Sequence, residues 1–460
     1  MRHVFGLLFV YAVFALLAWR QVPSWPYIYD EADYMWASSL GWAANYTDTP
    51  TLPFREFLRL GLHGGTQKNE QQSLSAVVRN SNDIVFYRHW HGPVYFYWLD
   101  ATQPLHSSEQ LMRGLQLVFP AIGGLLIYLG CVSLLPAETA VAGAVLASAM
   151  YLWSDTVLRS LEIAPHQLFA LWCLAALFFL AHVMITGKRR FWYGAVICCA
   201  LAFCTMEVAF VPILTLLVCG HFRRRELQAD WRFHLKWVVL LLGTILLVWP
   251  GGLLKLSAAK AYLFMAYLAV FRRHAWGSDL TITQSWLLRF AHDPVAWALV
   301  LAAVVVYLRV DKPLRASLVP FAVFSVLMIA AVFRVNADAP RYSLPFMPAL
   351  DVFAAAVVAG LLGARKRAAV TVGVLCCGLF LTRALWLHTR PLGEATEARA
   401  ILAWVAQNRL ADKTLLIPQD YVPTVHYYFP RTTLTGYRDV ASFADERLHG
   451  HFAAIYPAQP

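Results

Sequence analysis

The stretch "LFALWCLAALFFLAHVMITGKRR" (residues 168–190) decides the class of fold. Residues 168–186 contain no Asp, Glu, Lys or Arg. A helix needs about 20 consecutive, mostly apolar residues to cross a bilayer. The basic cluster that ends the stretch recurs between other apolar runs, as "RRR" (223–225), "RVDKPLR" (309–315) and "RKR" (365–367). Lys and Arg in short loops between apolar segments are typical of the cytoplasmic face of a multi-pass membrane protein.

The composition of the whole chain agrees with this interpretation. The 460 residues are 59% hydrophobic and 14% charged, whereas about a quarter of the residues in a soluble domain are charged. The formal charge of +11 does not indicate a nucleic-acid partner, because the basic residues stand in those short clusters. The eight cysteines all lie in apolar segments without the spacing of a zinc site or a disulfide framework, so we interpret them as small core residues.

We therefore expect an all-α polytopic membrane protein with about eleven transmembrane helices in residues 1–387. The first apolar run is either a secretory signal or a retained first span, and we favour the span. The expected spans are residues 4–18, 111–135, a run that ends near 153, 168–186, 191–204, 207–220, 237–249, 294–308, 317–333, 343–362 and 369–387.

The parity of these spans places every basic cluster in the cytoplasm and the long polar stretches outside. The first external loop (23–110) contains "PFREFLRL" (53–60), an amphipathic segment expected to lie in the membrane interface. The tail (388–460) has an amphipathic helical pattern, the strand "TLLIP" and then an irregular aromatic stretch. It is predicted to form a small external α/β domain.

Three acids follow the first apolar run in "YDEADYMWAS" (29–38). In a helix, Asp30, Asp33 and Tyr34 would share one face and Glu31 would lie beside it. Carboxylates favour the first turn of a helix, so a solvated helix start is one interpretation. The other is a catalytic carboxylate.

Three motifs resemble the GT-C class of polyprenyl-phosphate-sugar glycosyltransferases, which includes protein O-mannosyltransferases and lipid A aminoarabinose transferases. The acidic pair in "DEADY" is one, "RHWHGPVYFYWL" (88–99) is similar to a His/Lys-x-Pro-aromatic segment, and "APRYSLPFMPAL" (339–350) to an Arg-Tyr-x-x-Pro segment. The sequence departs from the class in "RSLEIAPHQ" (159–167) and at Glu207, where related proteins commonly have Lys.

The resemblance implies transfer of a sugar from a polyprenyl phosphate to a hydroxyl of a lipid-linked, polysaccharide or protein acceptor, on the outer face of the inner membrane. It implies that Asp30 is the base and that Glu31 orients it or helps to bind a metal. Cations are needed at the departing phosphate. The candidates for that role are Arg341, Arg88, His89, His91, Arg272 and Arg273, and further candidate site residues are Tyr34, Glu162, His166 and Tyr342.

A divalent metal is an open alternative at this site, with Asp30, Glu31 and His91 as candidate ligands, although interfacial histidines without metal are commoner. Two other functions also remain open. A transporter or lipid flippase would need ionisable groups near the bilayer midplane, for which Asp351 and Glu207 are the main candidates. A noncatalytic assembly factor with the same fold is the third.

Overall fold

The computed structural model describes most of the chain outside the first external loop. The described residues are 2–39, 41–42, 91–254, 262–263, 266, 280–335, 339–362, 366–388, 395–437 and 440–456. The segment "PFREFLRL" and the candidates Arg88, His89, Arg272 and Arg273 lie outside them.

Every apolar run expected to span the membrane is helical. Within the described ranges, the α-helices up to residue 388 are α1 (Arg2–Gln21), α2 (Tyr29–Ser39), α3 (Pro93–Ala101), α4 (Glu109–Leu115), α5 (Val118–Leu134), α6 (Ala140–Leu152), α7 (Asp155–Leu158), α8 (His166–Thr186), α9 (Arg189–Phe203), α10 (Phe210–Phe222), α11 (Trp231–Val248), α12 (Pro250–Leu254), α13 (Ile282–His292), α14 (Pro294–Val306), α15 (Lys312–Val332), α16 (Met347–Leu362) and α17 (Lys366–His388).

Four described segments are long and apolar enough to cross a membrane, namely Glu109–Leu134, α8, α11 and α15. The pair α13 and α14, bent by 95°, is a possible fifth. Most of the other apolar helices are shorter. The all-α multi-pass fold is confirmed, and the total of about eleven spans stays a prediction.

Helix α8 lies at the centre of the bundle, and 72% of its apolar window is buried. It packs against α5, α9 and α15. Gly130 of α5 permits the close approach, because a Cβ atom there would lie 2.2 Å from the Phe178 ring of α8. On its other side, Phe178 packs edge-on against Phe321 of α15, with ring centroids 5.2 Å apart. Small residues let membrane helices pack this closely.

The bend between α13 and α14 is fixed by Asp293. Its carboxylate accepts hydrogen bonds from the backbone N–H of Asp155 (2.7 Å) and of Thr156 (3.0 Å), and from the Thr156 hydroxyl. A carboxylate at the start of α7 satisfies N–H groups that have no partner within the helix. The bend thereby holds α13 beside the segment that joins α6 to α8.

The tail folds as a three-stranded parallel sheet with helices. Its elements are α18 (Thr396–Gln407), β1 (Thr414–Pro418), α19 (Val422–Tyr428), β2 (Thr433–Tyr437), α20 (Val440–His449) and β3 (Ala454–Ile455), in the strand order β2-β1-β3. The expected helix and first strand are present. We expected the aromatic stretch after β1 to be irregular. That expectation was wrong, because β2 and β3 lie in this part of the tail and both pair with β1. Helix α19 packs on α2 and thereby connects the tail to the membrane part.

Candidate active site

Asp30 lies in the first turn of α2. One oxygen, Oδ2, accepts a hydrogen bond of 2.9 Å from Nη2 of Arg341. The other, Oδ1, makes no hydrogen bond or ion pair to a described residue, and the side chain is 40% exposed. Asp30 is therefore held by one oxygen and open at the other. A solvated helix start would not require this specific cation partner.

Arg341 connects three separate segments of the chain. Its Nη1 donates a 2.7 Å hydrogen bond to Glu162, which precedes α8, and its Nη2 binds Asp30 on α2. The guanidinium carbon lies 5.1 Å from the ring centroid of Tyr342, whose ring in turn contacts that of His166 edge-on at 5.7 Å. Four of the residues predicted from the sequence thus meet Asp30 at one place.

Burial and charge oppose each other in this cluster. Burial would lower the pKa of Arg341, but the neighbouring Glu162, Tyr342 and Asp30 outweigh it and the pKa is raised. Desolvation raises the pKa of the Glu162 carboxyl, against the opposing effect of Arg341. Burial also raises the pKa of Tyr34, with Asp30 as the largest charge contribution. Two carboxylates in unlike environments that share one cation suit an acid–base site.

Glu31 points away from Asp30, and both of its carboxylate oxygens accept hydrogen bonds. Its two oxygens accept from Nε (2.9 Å) and Nη2 (2.6 Å) of Arg113, and Oε1 also accepts from the backbone N–H of Ile163. Arg113 donates further to the carbonyls of Pro23, Trp25 and Pro26. Adjacent helix positions face directions about 100° apart. Through Arg113, Glu31 fastens α2 to α4. This geometry does not support the expectation that Glu31 orients the base.

His91 bridges two side chains and has no free ring nitrogen. Its Nε2 lies 2.8 Å from the Tyr34 hydroxyl and its Nδ1 lies 2.8 Å from Oε2 of Glu207. Glu207 stands between α9 and α10, so the bridge ties that hairpin to α2. The sequence marked Glu207 as a departure from the resembled class without revealing its partner. His91, which the sequence placed among the candidates for phosphate binding, is thus joined to Glu207 by a buried hydrogen bond.

A metal site built from Asp30, Glu31 and His91 does not fit this arrangement. Arg113 occupies both oxygens of Glu31, and Tyr34 and Glu207 occupy both nitrogens of His91. Within the described ranges, no three His, Cys, Asp or Glu side chains are grouped as metal ligands.

Comparison with known proteins supports the fold class. The sequence pattern of the dolichyl-phosphate-mannose-protein mannosyltransferase family matches residues 90–249. The structure of ArnT from Cupriavidus metallidurans bound to undecaprenyl phosphate is similar with a TM-score of 0.62 and 14% identity, over 96% of this chain and 88% of ArnT. The structure of the oligosaccharyltransferase AglB from Archaeoglobus fulgidus, in complex with an inhibitory peptide and a dolichol-phosphate, is similar with a TM-score of 0.55 and 12% identity. The match covers 95% of this chain and 64% of AglB. No curated protein matches by sequence.

The fold is thus that of the GT-C class of glycosyltransferases, which confirms the resemblance. The matched range, residues 90–249, includes His91, Glu162, His166 and Glu207, whereas Asp30 and Arg341 lie outside it.

Proposed function

We propose that the protein is a membrane glycosyltransferase that moves a sugar from a polyprenyl phosphate to a hydroxyl of a lipid-linked, polysaccharide or protein acceptor. The observation that carries this proposal is the ion-paired cluster of Asp30, Arg341 and Glu162, in which Asp30 keeps one oxygen open. The bound undecaprenyl phosphate of ArnT and dolichol-phosphate of AglB support the donor class.

The reaction is a single displacement at the anomeric carbon of the sugar. The acceptor hydroxyl gives its proton to Oδ1 of Asp30 while its oxygen forms the new glycosidic bond. The bond between the anomeric carbon and the phosphate oxygen breaks, and its electron pair leaves with the polyprenyl phosphate. Attack from the face opposite the leaving group inverts the configuration. Arg341 orients Asp30 through the hydrogen bond to Oδ2, and is in this sense a positioning residue.

We place the reaction on the outer face of the inner membrane. All described members of the cluster lie in segments that the basic clusters assign to the outside, namely the first loop, residues 154–167 and residues 334–342. Carriers with isoprenoid tails would keep the tail in lipid while the phosphate reaches the cluster at the interface.

The decisive experiment uses purified protein in vesicles with a polyprenyl phosphate sugar labelled in the sugar. Transfer of label to an acceptor, with release of one polyprenyl phosphate for each sugar, supports the proposal. Movement of the intact labelled lipid between leaflets, without cleavage, would instead identify a flippase. Neither transfer nor movement across a panel of donors and acceptors would favour a noncatalytic role.

A further inference from the structure

Arg289 on α13 is a buried cation whose hydrogen-bonding groups are mostly unused. It is 2% exposed, its Nη2 donates to the carbonyl of Val335 at 2.7 Å, and its guanidinium carbon lies 4.6 Å from the ring centroid of Trp286. Its Nε and Nη1 have no hydrogen-bond partner, and no described carboxylate pairs with it. Burying an unpaired charge is costly, so such a group is expected to meet an anion.

Two hydroxyls without partners accompany Arg289. Ser285, one helical turn earlier on α13, is fully buried, and its Oγ makes no hydrogen bond. Ser343 belongs to the turn Pro340–Ser343, against which α13 packs, and its buried Oγ is likewise unpaired. Buried polar groups are normally hydrogen-bonded, and three unsatisfied donors at one helix contact indicate a missing acceptor.

The position of Arg289 connects it to the cluster around Asp30. Helix α13 packs against the turn Pro340–Ser343, which contains Tyr342, the residue whose ring Arg341 covers. Both terminal nitrogens of Arg341 already donate, Nη1 to Glu162 and Nη2 to Asp30 and Tyr342, so Nε is its one nitrogen without a partner among the described residues. Of these two arginines, Arg289 has the larger number of free donors for an anion that enters beside Tyr342.

The outer face of α13 suits a lipid-linked ligand. Leu287 is 61% exposed and Phe290 is 40% exposed, on a helix bent 95° away from α14. An amphipathic helix of this kind lies in the membrane interface, with apolar side chains toward the acyl region. An isoprenoid chain could thus stay in lipid beside α13 while its phosphate reaches the polar face.

We propose that Arg289, assisted by Ser285 and Ser343, binds the phosphate of the polyprenyl phosphate donor. This inference rests on the proposed function and adds to it a phosphate-binding residue that the sequence motifs did not single out. Guanidinium groups hold phosphate oxygens bidentately, and the two unpartnered nitrogens of Arg289, Nε and Nη1, provide the required donors. The Arg341 site then positions Asp30 and the Arg289 site binds the departing group.

The test uses Arg289→Gln in nanodiscs of phosphatidylcholine, with undecaprenyl phosphate as the probe. Affinity should fall about 10- to 100-fold, the effect of losing a charge-assisted hydrogen bond to phosphate. Without ligand, the unfolding temperature should stay the same or rise, because the variant removes an uncompensated buried charge. Arg289→Lys should recover part of the affinity. The control is Arg334→Gln, which changes an exposed arginine next to Val335 and should leave binding unchanged.

Each outcome separates this inference from the proposed function. Equal binding of undecaprenyl phosphate by wild type and Arg289→Gln would overturn the inference and leave the glycosyltransferase proposal intact. Absence of binding by the wild type would count against both. A variant that lost affinity only for inorganic phosphate, or only for phosphatidylglycerol added to the nanodisc, would overturn the donor assignment. Loss of stability without ligand, not restored by Arg289→Lys, would show a structural role and overturn it too.

Discussion

Nη2 of Arg341 lies 2.9 Å from Oδ2 of Asp30, although the two residues are 311 positions apart in the chain. The contact joins α2 to the segment before α16, and Glu162 contacts Arg341 from a third segment, the one before α8. The carboxylate is partly exposed, and its other oxygen makes no hydrogen bond to a described residue.

Asp30→Asn should abolish most of the sugar transfer while the protein still folds and binds donor. The amide keeps the shape of the side chain but cannot take the proton, and losing a general base costs roughly 10²- to 10⁴-fold in rate. Transfer by purified protein from a defined donor is the measurement. Donor affinity, measured on the same preparation, should change little. A transfer rate within a few-fold of wild type would show that Asp30 is only part of a helix start.

The sequence predicted the helices well because each span depends on a local property, the length of an apolar run. It also placed Asp30, Glu162, His166, Arg341 and Tyr342 among the site candidates, and the structure brings them together. Arg113 was missed, since its carbonyl partners Pro23 and Trp25 lie 90 and 88 positions away. The strands β2 and β3 were missed for the same reason: each is short and is stabilised by pairing with β1.

Glu31→Gln should destabilise the protein more than it slows the chemistry of the folded fraction. The variant leaves the Arg113 guanidinium buried without its counter-charge, and breaking a buried pair of this kind costs about 3–5 kcal/mol. The free energy of unfolding in detergent, measured beside the transfer rate per folded molecule, checks this. Glu31→Gln with normal stability and a rate as low as that of Asp30→Asn would restore Glu31 to the catalytic group.

The membrane orientation is testable by cysteine labelling in a Cys-free background. Ala411→Cys, exposed in the tail between α18 and β1, should react with an impermeant thiol reagent added from outside. Lys188→Cys, exposed in the loop between α8 and α9, should react only after the membrane is opened. The reverse pattern would place the Asp30 cluster on the cytoplasmic side.

The bridge of Tyr34, His91 and Glu207 should behave as one unit. His91→Gln and Glu207→Gln each break the same 2.8 Å contact, so the double variant should lose little more transfer than either single one. Contacting residues show coupling energies of about 0.5–3 kcal/mol in such a double-mutant cycle. The transfer rates of all four proteins give the coupling. Additive losses would mean that His91 and Glu207 act separately, as expected if His91 bound phosphate by itself.

Glu162 should set the acid limit of the transfer rate. Because desolvation raises its pKa, Glu162 takes up its proton at a higher pH than the value of about 4.3 for an ordinary Glu. Protonation breaks its ion pair with Arg341 and disturbs the orientation of Asp30, so the rate should fall as pH falls through that raised pKa. Glu162→Gln, neutral at every pH, should be slower near pH 7 and lack this acid limb.

The contribution of Glu162 to stability should change with pH in the opposite direction to its effect on the transfer rate. The folded state binds this proton more tightly than the unfolded chain, so this group makes the free energy of unfolding rise as pH falls from the raised pKa toward about 4.3. Comparing unfolding of wild type and Glu162→Gln across this window isolates the contribution of the one carboxyl, since the variant lacks it. An acid limb that persists in Glu162→Gln would assign the titration to another group, and equal pH dependence of unfolding in the two proteins would show that the Glu162 pKa is not raised.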